Sequence, residues 1–187
     1  MIIGVTGTLG AGKTTVANYL KSKGFKHYSV REFIAEEVTR RGLVINRDSL
    51  VNVANELRTA HGPEYIVASL GKRAAQEGGN AVIESIRAVG EAEEVKKEGG
   101  YLLAVSANPR LRYERARLES SATTPGSFEE FITQEEREMH STDPAKQNIA
   151  AVMLRADYQI LNNSTMGDLE NQIDAAIMYL EKVNQKV

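Results

Sequence analysis

The chain contains no cysteine. Disulfides, thiolate-held zinc, iron–sulfur clusters and thiol catalysis are thereby excluded, and with them the disulfide framework of a small secreted scaffold. It also lacks an excess of charge: 23 Lys and Arg stand against 25 Asp and Glu, a formal net charge of -2. Such a balance gives no global pull toward a polyanion, which argues against a dedicated nucleic-acid binder. No apolar run approaches the roughly 20 residues that cross a bilayer; the longest are short pieces such as Ile149 to Leu154. The opening Met1-Ile2-Ile3-Gly4-Val5 has no basic region and no cleavage site, so the expected location is the cytoplasm, away from membranes. His27, His61 and His140 form no HExxH-type pair and read as surface or capping residues rather than metal ligands. With 4 Pro, 15 Gly, 42% hydrophobic and 26% charged residues, a collagenous or wholly disordered chain is excluded.

What is present is one domain's worth of sequence, 187 residues, with strand and helix patterns in alternation. Ile2 to Thr6 is a β-branched run ending in glycines, which predicts a buried strand. A helix over Lys13 to Ser22 follows, with Val16, Ala17 and Leu20 on one face and Gly24 as its stop. Phe25 to Val30 reads as a second strand, interrupted by Lys26 and His27. From Glu32 to Gln76 the pattern is helical, and breaks at Gly42 and at Gly62-Pro63 divide it into three. Ala81 to Ile86 and Tyr101 to Ala107 are predicted strands joined by a charged helix around Glu91 to Glu98. Pro109 opens an arginine-bearing helix, Asp157 to Leu161 is a fifth strand, and Asp168 to Val183 a closing amphipathic helix. The alternation implies an α/β fold with parallel strands joined by right-handed crossovers. Ser120 to Ser127, SSATTPGS, reads as a mobile loop between two helices, a solvated connection or a lid.

The segment Gly7 to Thr14, GTLGAGKT, satisfies GxxxxGK[ST]. Wrapping a phosphate chain in backbone N–H groups requires glycines where side chains would block the approach, and a helix whose N-terminus faces the anion. Here the pattern begins after a predicted strand and a predicted helix starts at Lys13. Thr8, Leu9, Gly10, Ala11, Gly12, Lys13, Thr14 and Thr15 are therefore the candidate nucleotide cradle, with Lys13 a point charge for the β- and γ-phosphates and the Thr14 hydroxyl a Mg²⁺ ligand. In an open parallel sheet ligands bind beyond the carboxyl ends of the strands. Ser29, Arg31, Glu84, Ser85, Arg87, Asn108, Arg110, Asn162 and Asn163 collect there. Glu84 is placed to hold Mg²⁺ or, equally, to cap the next helix or pair with Arg87. Arg47 and Arg58 lie in the helical stretch, and Arg110, Arg112, Arg115 and Arg117 on the Pro109 helix, where they could close over a transferring phosphoryl group or pair with Glu114 and Glu119 at the surface.

These residues resemble the P-loop kinases of small phosphorylated substrates: adenylate kinase and its relatives, phage deoxynucleoside monophosphate kinases, and dephospho-CoA kinase. The similarity extends over nearly the whole chain. Arg87 with Glu91 is similar to the phage enzymes, Ala156 to Asn163, ADYQILNN, to a segment of dephospho-CoA kinases, and His27-Tyr28-Ser29 to the acceptor-site entry of adenylate kinase. Departures stand beside these matches. Arg31-Glu32 replaces a Gly-Asp, Ala35 replaces an expected arginine, and the Asp-Gly-x-Pro-Arg pattern appears as Glu84-Ser85-Ile86-Arg87 without its proline. The aspartate that dephospho-CoA kinases carry after the second strand is missing.

The resemblance implies a three-layer P-loop NTPase fold with a five-stranded parallel sheet. It implies a core of 1–30, 78–110 and 150–187, a helical acceptor-binding insert over 31–77 and a lid over about 110–148. It implies ATP and Mg²⁺ as cofactors and a phosphate-bearing small molecule as partner, in a monomer or homodimer. Lys13, Arg87, Arg115 and Arg117 would then be catalytic, Ser29, Arg31, Arg47, Arg58 and Arg87 would bind the acceptor, and Thr14 and Glu84 the metal. A nucleoside or deoxynucleoside monophosphate is the first acceptor and dephospho-CoA the alternative. From another class, a regulatory ATPase remains; a GTPase does not, since Asn162-Asn163-Ser164-Thr165 is no guanine-reading NKxD.

Overall fold

The computed structural model describes residues 1–118 and 126–185. Its strands are β1 (Ile2–Gly7), β2 (Lys26–Ser29), β3 (Ala81–Ile86), β4 (Tyr101–Ser106) and β5 (Tyr158–Leu161). They form one sheet in the order β2-β3-β1-β4-β5, and every pairing is parallel. β3 is buried along its whole length, as its unbroken apolar start Ala81-Val82-Ile83 requires of a strand covered on both faces.

Two helical layers provide that cover. On one face α1 (Lys13–Ser22) and α9 (Met166–Asn184) pack Val16, Leu20, Leu169, Ile173 and Leu180 against Ile3, Val5, Leu103 and Val105. On the other, α2 (Val30–Arg40), α3 (Arg47–His61), α4 (Tyr65–Glu77) and α5 (Val89–Lys97) bury Val38, Leu57, Ile66 and Val95 against Ile83 and Leu102. α6 (Pro109–Leu118), α7 (Phe128–Met139) and the short α8 (Ile149–Met153) lie between β4 and β5.

The expected elements stand, with boundaries set by caps. β2 ends at Ser29 rather than Val30 because the Ser29 side chain accepts the N–H of Glu32 at 3.2 Å and starts α2. α9 begins two residues early, at Met166, where Thr165 and Asp168 cap one another's backbone. Of the expected loop over 120–127, residues 120–125 lie outside the described residues, as does Glu119, and Ser127 is the cap of α7.

One backbone feature breaks the regularity of the sheet. Val5 pairs with Glu84 and Thr6 with Ile86, so Ser85 is an extra residue in β3, a bulge. Its φ of 73° makes it the one non-glycine residue with positive φ among those described, a conformation that costs about 1–3 kcal/mol. Thr6 Oγ1 donates to Ile86 O at 2.8 Å and pins the chain just beyond the bulge.

Candidate active site

The loop between β1 and α1 supplies the first half of the site. Gly10 has φ of 72° and Gly12 of 100°, a conformation side chains resist. A Cβ on Gly10 would come within 2.1 Å of Arg112 O, and one on Gly12 within 2.4 Å of Asn162 Nδ2. The loop is thus clasped by α6 and by the turn after β5, and only glycine fits the clasp. Lys13 Nζ donates to Thr8 O at 2.8 Å, folding its charge back over the loop. Asn162 Nδ2 donates to Ala11 O at 3.0 Å, and Arg115 Nη1 to Asn162 O at 2.9 Å.

Thr14 at the start of α1 meets Glu84 at the end of β3: the hydroxyl donates to Glu84 Oε1 at 2.7 Å. The other carboxylate oxygen lies 2.9 Å from His27 Nε2. Burial opposes charge on Glu84, but the hydrogen bonds from His27 and Thr14, aided by the Lys13 charge, outweigh it and hold its carboxyl below the usual 4.5. A hydroxyl beside an ionised carboxylate is an all-oxygen donor set, which suits Mg²⁺. No cluster of three or more His, Cys, Asp or Glu with metal-binding geometry occurs among the described residues, so such an ion would take its remaining ligands from phosphate and water.

From this point a cavity of about 390 Å³ runs toward the helices that follow β2. Its wall carries Lys13, Thr14, His27, Ser29, Glu84 and Ser85, its apolar side Val30, Ile34, Leu50, Val51 and Ala54, and four guanidinium groups, Arg31, Arg47, Arg58 and Arg87, face it. Arg58 is almost wholly buried. Its Nε and Nη2 donate to Glu91 Oε1 at 3.0 and 2.7 Å, while Nη1 has no hydrogen-bond partner. Glu91 Oε2 accepts the N–H of Arg87 at 2.9 Å and of Ala88 at 3.1 Å, so one carboxylate orients Arg58 and anchors the backbone of Arg87. The Arg87 side chain donates to Glu138 Oε2 at 2.8 Å and Gln147 Oε1 at 3.1 Å, and Arg47 pairs with the other oxygen of Glu138.

The structure therefore brings together Ser29, Arg31, Arg47, Arg58, Arg87, Thr14 and Glu84 on one cavity. It does not bring Arg115 or Arg117 there. Along α6 the buried positions are Arg112 and Ala116, one turn apart. Arg115 therefore points sideways to the turn after β5, and Arg117 lies out over the Tyr113 ring at 5.7 Å. Arg112 takes the inner position, its Nη1 3.4 Å from Leu9 O of the P-loop and its Nη2 on Glu135 at 2.9 Å. Glu84 meets Thr14 and His27 rather than Arg87. His27, read above as a surface or capping residue, lines the cavity. Sequence reasoning also missed Glu135, Glu138 and Gln147. Glu135 and Glu138 are three apart on α7, a spacing that puts two carboxylates on one helical face, and that was the available signal.

Residues 3–139 match the family described as an AAA domain, AAA_18. A UPF0200 protein of Pyrobaculum aerophilum is 29% identical over 182 residues, covering 96% of this chain and 98% of that protein. A UPF0200 protein of Pyrococcus horikoshii is 30% identical over 188 residues, covering 95% of this chain and 96% of its own. Among solved structures, the shikimate kinase of Bacteroides thetaiotaomicron superposes with a TM-score of 0.62 at 18% identity, covering 97% of this chain and 98% of that one. At that identity the likeness is one of fold, a P-loop kinase fold.

Proposed function

This chain belongs to the AAA-domain family and to the UPF0200 proteins, and we propose that it transfers the γ-phosphoryl group of ATP to a small anionic acceptor. A nucleoside or deoxynucleoside monophosphate is the acceptor put first. The observation that carries this reading is the placement of Arg31, Arg47, Arg58 and Arg87 around a cavity that opens directly onto Lys13, Thr14 and Glu84. A donor needs only the P-loop; four guanidinium groups beside an apolar wall are fit to hold a second molecule with its own anionic group.

The P-loop amides and Lys13 would grip the ATP phosphates. Thr14 and Glu84 would hold Mg²⁺, which neutralises phosphate charge when bound. Arg58 and Arg87, fixed by Glu91, would orient the acceptor against the γ-phosphate, and the lining Val30, Ile34 and Leu50 would exclude water from it. Catalysis by positioning and charge compensation asks for no strong base, because a phosphate oxygen is already an adequate nucleophile. In this reading residues 31–77 are the acceptor-binding insert and the helices around 110–148 a lid.

One observation favours a second reading, transfer to a hydroxyl as in dephospho-CoA kinase: the His27–Glu84 pair at the cavity wall supplies a carboxylate where an alcohol proton could go. An ADP-release screen over the nucleoside and deoxynucleoside monophosphates and dephospho-CoA separates the two. Release stimulated by a monophosphate supports the first reading and release stimulated only by dephospho-CoA the second. ATP hydrolysis indifferent to all of them contradicts both and favours a regulatory ATPase.

A further inference from the structure

Ser85 is the least comfortable residue of the described chain and sits in the middle of the site. It is 7% exposed, it holds a φ of 73°, and it is the extra residue of the β3 bulge. In a regular strand successive side chains point to opposite faces of the sheet. The bulge breaks that alternation, and Glu84 and Ser85, adjacent in sequence, line the same cavity. On one side Glu84 is committed to Thr14 and His27; on the other, Arg87 enters the cavity with its backbone tied to Glu91. The Ser85 hydroxyl makes no hydrogen bond with any described residue.

A strained serine whose hydroxyl has no protein partner at a cavity wall is a costly choice, since glycine would hold the same backbone without strain. The arrangement makes sense if the donor finds its acceptor in a ligand. The neighbours define that ligand's chemistry: four guanidinium groups face the cavity, so the group that reaches Ser85 is an anionic oxygen.

We infer that Ser85 is a substrate-binding residue whose hydroxyl donates to the anionic group of the acceptor, beside Arg87, and that the β3 bulge is kept because it delivers that donor. The inference rests on the acceptor-cavity reading above and adds a residue and a hydrogen bond to it.

Inorganic phosphate is the probe, titrated by calorimetry into protein whose P-loop is already saturated with Mg²⁺ and a non-hydrolysable ATP analogue. The native chain is expected to bind phosphate saturably. Ser85→Gly should bind it about tenfold more weakly, keep its affinity for the ATP analogue, and melt at the same or a higher temperature, since glycine relieves the strained φ. Ser85→Ala should show the same loss of phosphate affinity without the gain in melting temperature. Ser85→Gly with native phosphate affinity, in a titration where Arg87→Ala loses it, overturns the role of Ser85 and leaves the cavity reading intact. A native chain that binds no phosphate with its P-loop filled overturns the cavity reading itself.

Discussion

Arg58 lines the cavity with a guanidinium already committed to the fold. Nε and Nη2 are spent on Glu91, and Nη1 is buried with no partner. Arg87 differs: its side-chain partners Glu138 and Gln147 are replaceable by a phosphate, and its backbone is what Glu91 holds. Truncating Arg87 would therefore remove the proposed acceptor contact without cutting a buried ion pair at its core. Arg87→Ala is expected to raise the KM for the acceptor by about tenfold or more, as loss of a charge-assisted contact does. The KM for ATP should change little, and steady-state kinetics with each substrate varied in turn reads both. The P-loop residues were legible because their spacing is itself the mechanism. Arg58 was legible as an arginine but not as one member of a buried ion pair, since nothing in a local pattern announces a partner 33 residues away. Ser85 reads in sequence only as a polar residue at the end of the third strand, and the backbone alone shows that it holds a glycine-like φ.

At the level of elements, α3 and α5 are joined by that same buried pair, with Arg58 1% and Glu91 0% exposed at the side chain. Removing one member strands the other's charge, so Glu91→Ala should destabilise by about 3–5 kcal/mol. For a domain of this size that lowers Tm by roughly 10 °C. Because the penalty is the stranded charge, adding Arg58→Met to Glu91→Ala should recover part of the loss in thermal melts. The N-terminus of α9 gives a pH prediction. Hydrogen bonds from the Ser164 and Thr165 side chains, then from the Thr165 backbone, outweigh desolvation and hold the Asp168 carboxyl below its usual 3.8. Its contribution to stability is thus fully present above 3.8 and is lost as the pH falls through the lower folded value. Asp168→Asn should flatten the acid limb of a Tm-against-pH profile taken between about pH 5 and pH 2. Helix and strand existence followed from periodicity, while boundaries depended on caps such as Ser29 and Thr165. The inward turn of Arg112 in place of Arg115 depended on how α6 packs on the P-loop. Its apolar residues Leu111, Tyr113, Ala116 and Leu118 are spread over opposite sides of the helix and form no single stripe from which that rotation could be read.

Across the whole molecule, a net charge of -2 conceals a strong local asymmetry. Arginines gather where the strands end, and α7 brings two carboxylates, Glu135 and Glu138, against Arg112, Arg47 and Arg87. The sheet order β2-β3-β1-β4-β5 puts β1 and β3 side by side, which is what brings Thr14 to Glu84. Alternating strands and helices could predict parallel pairing, but the strand order is a consequence of which helices cover which face. Among the described residues no helix is long and apolar enough to cross a membrane. The central claim is that the P-loop and the arginine-lined cavity act on two different molecules. Tracing the γ-³²P of ATP in the presence of the stimulating acceptor tests it most directly, with Lys13→Ala as control. The account predicts label in the acceptor, and a loss of about 10²-fold or more in Lys13→Ala with the fold retained by circular dichroism. Label appearing only as inorganic phosphate, or undiminished transfer by Lys13→Ala, would contradict it.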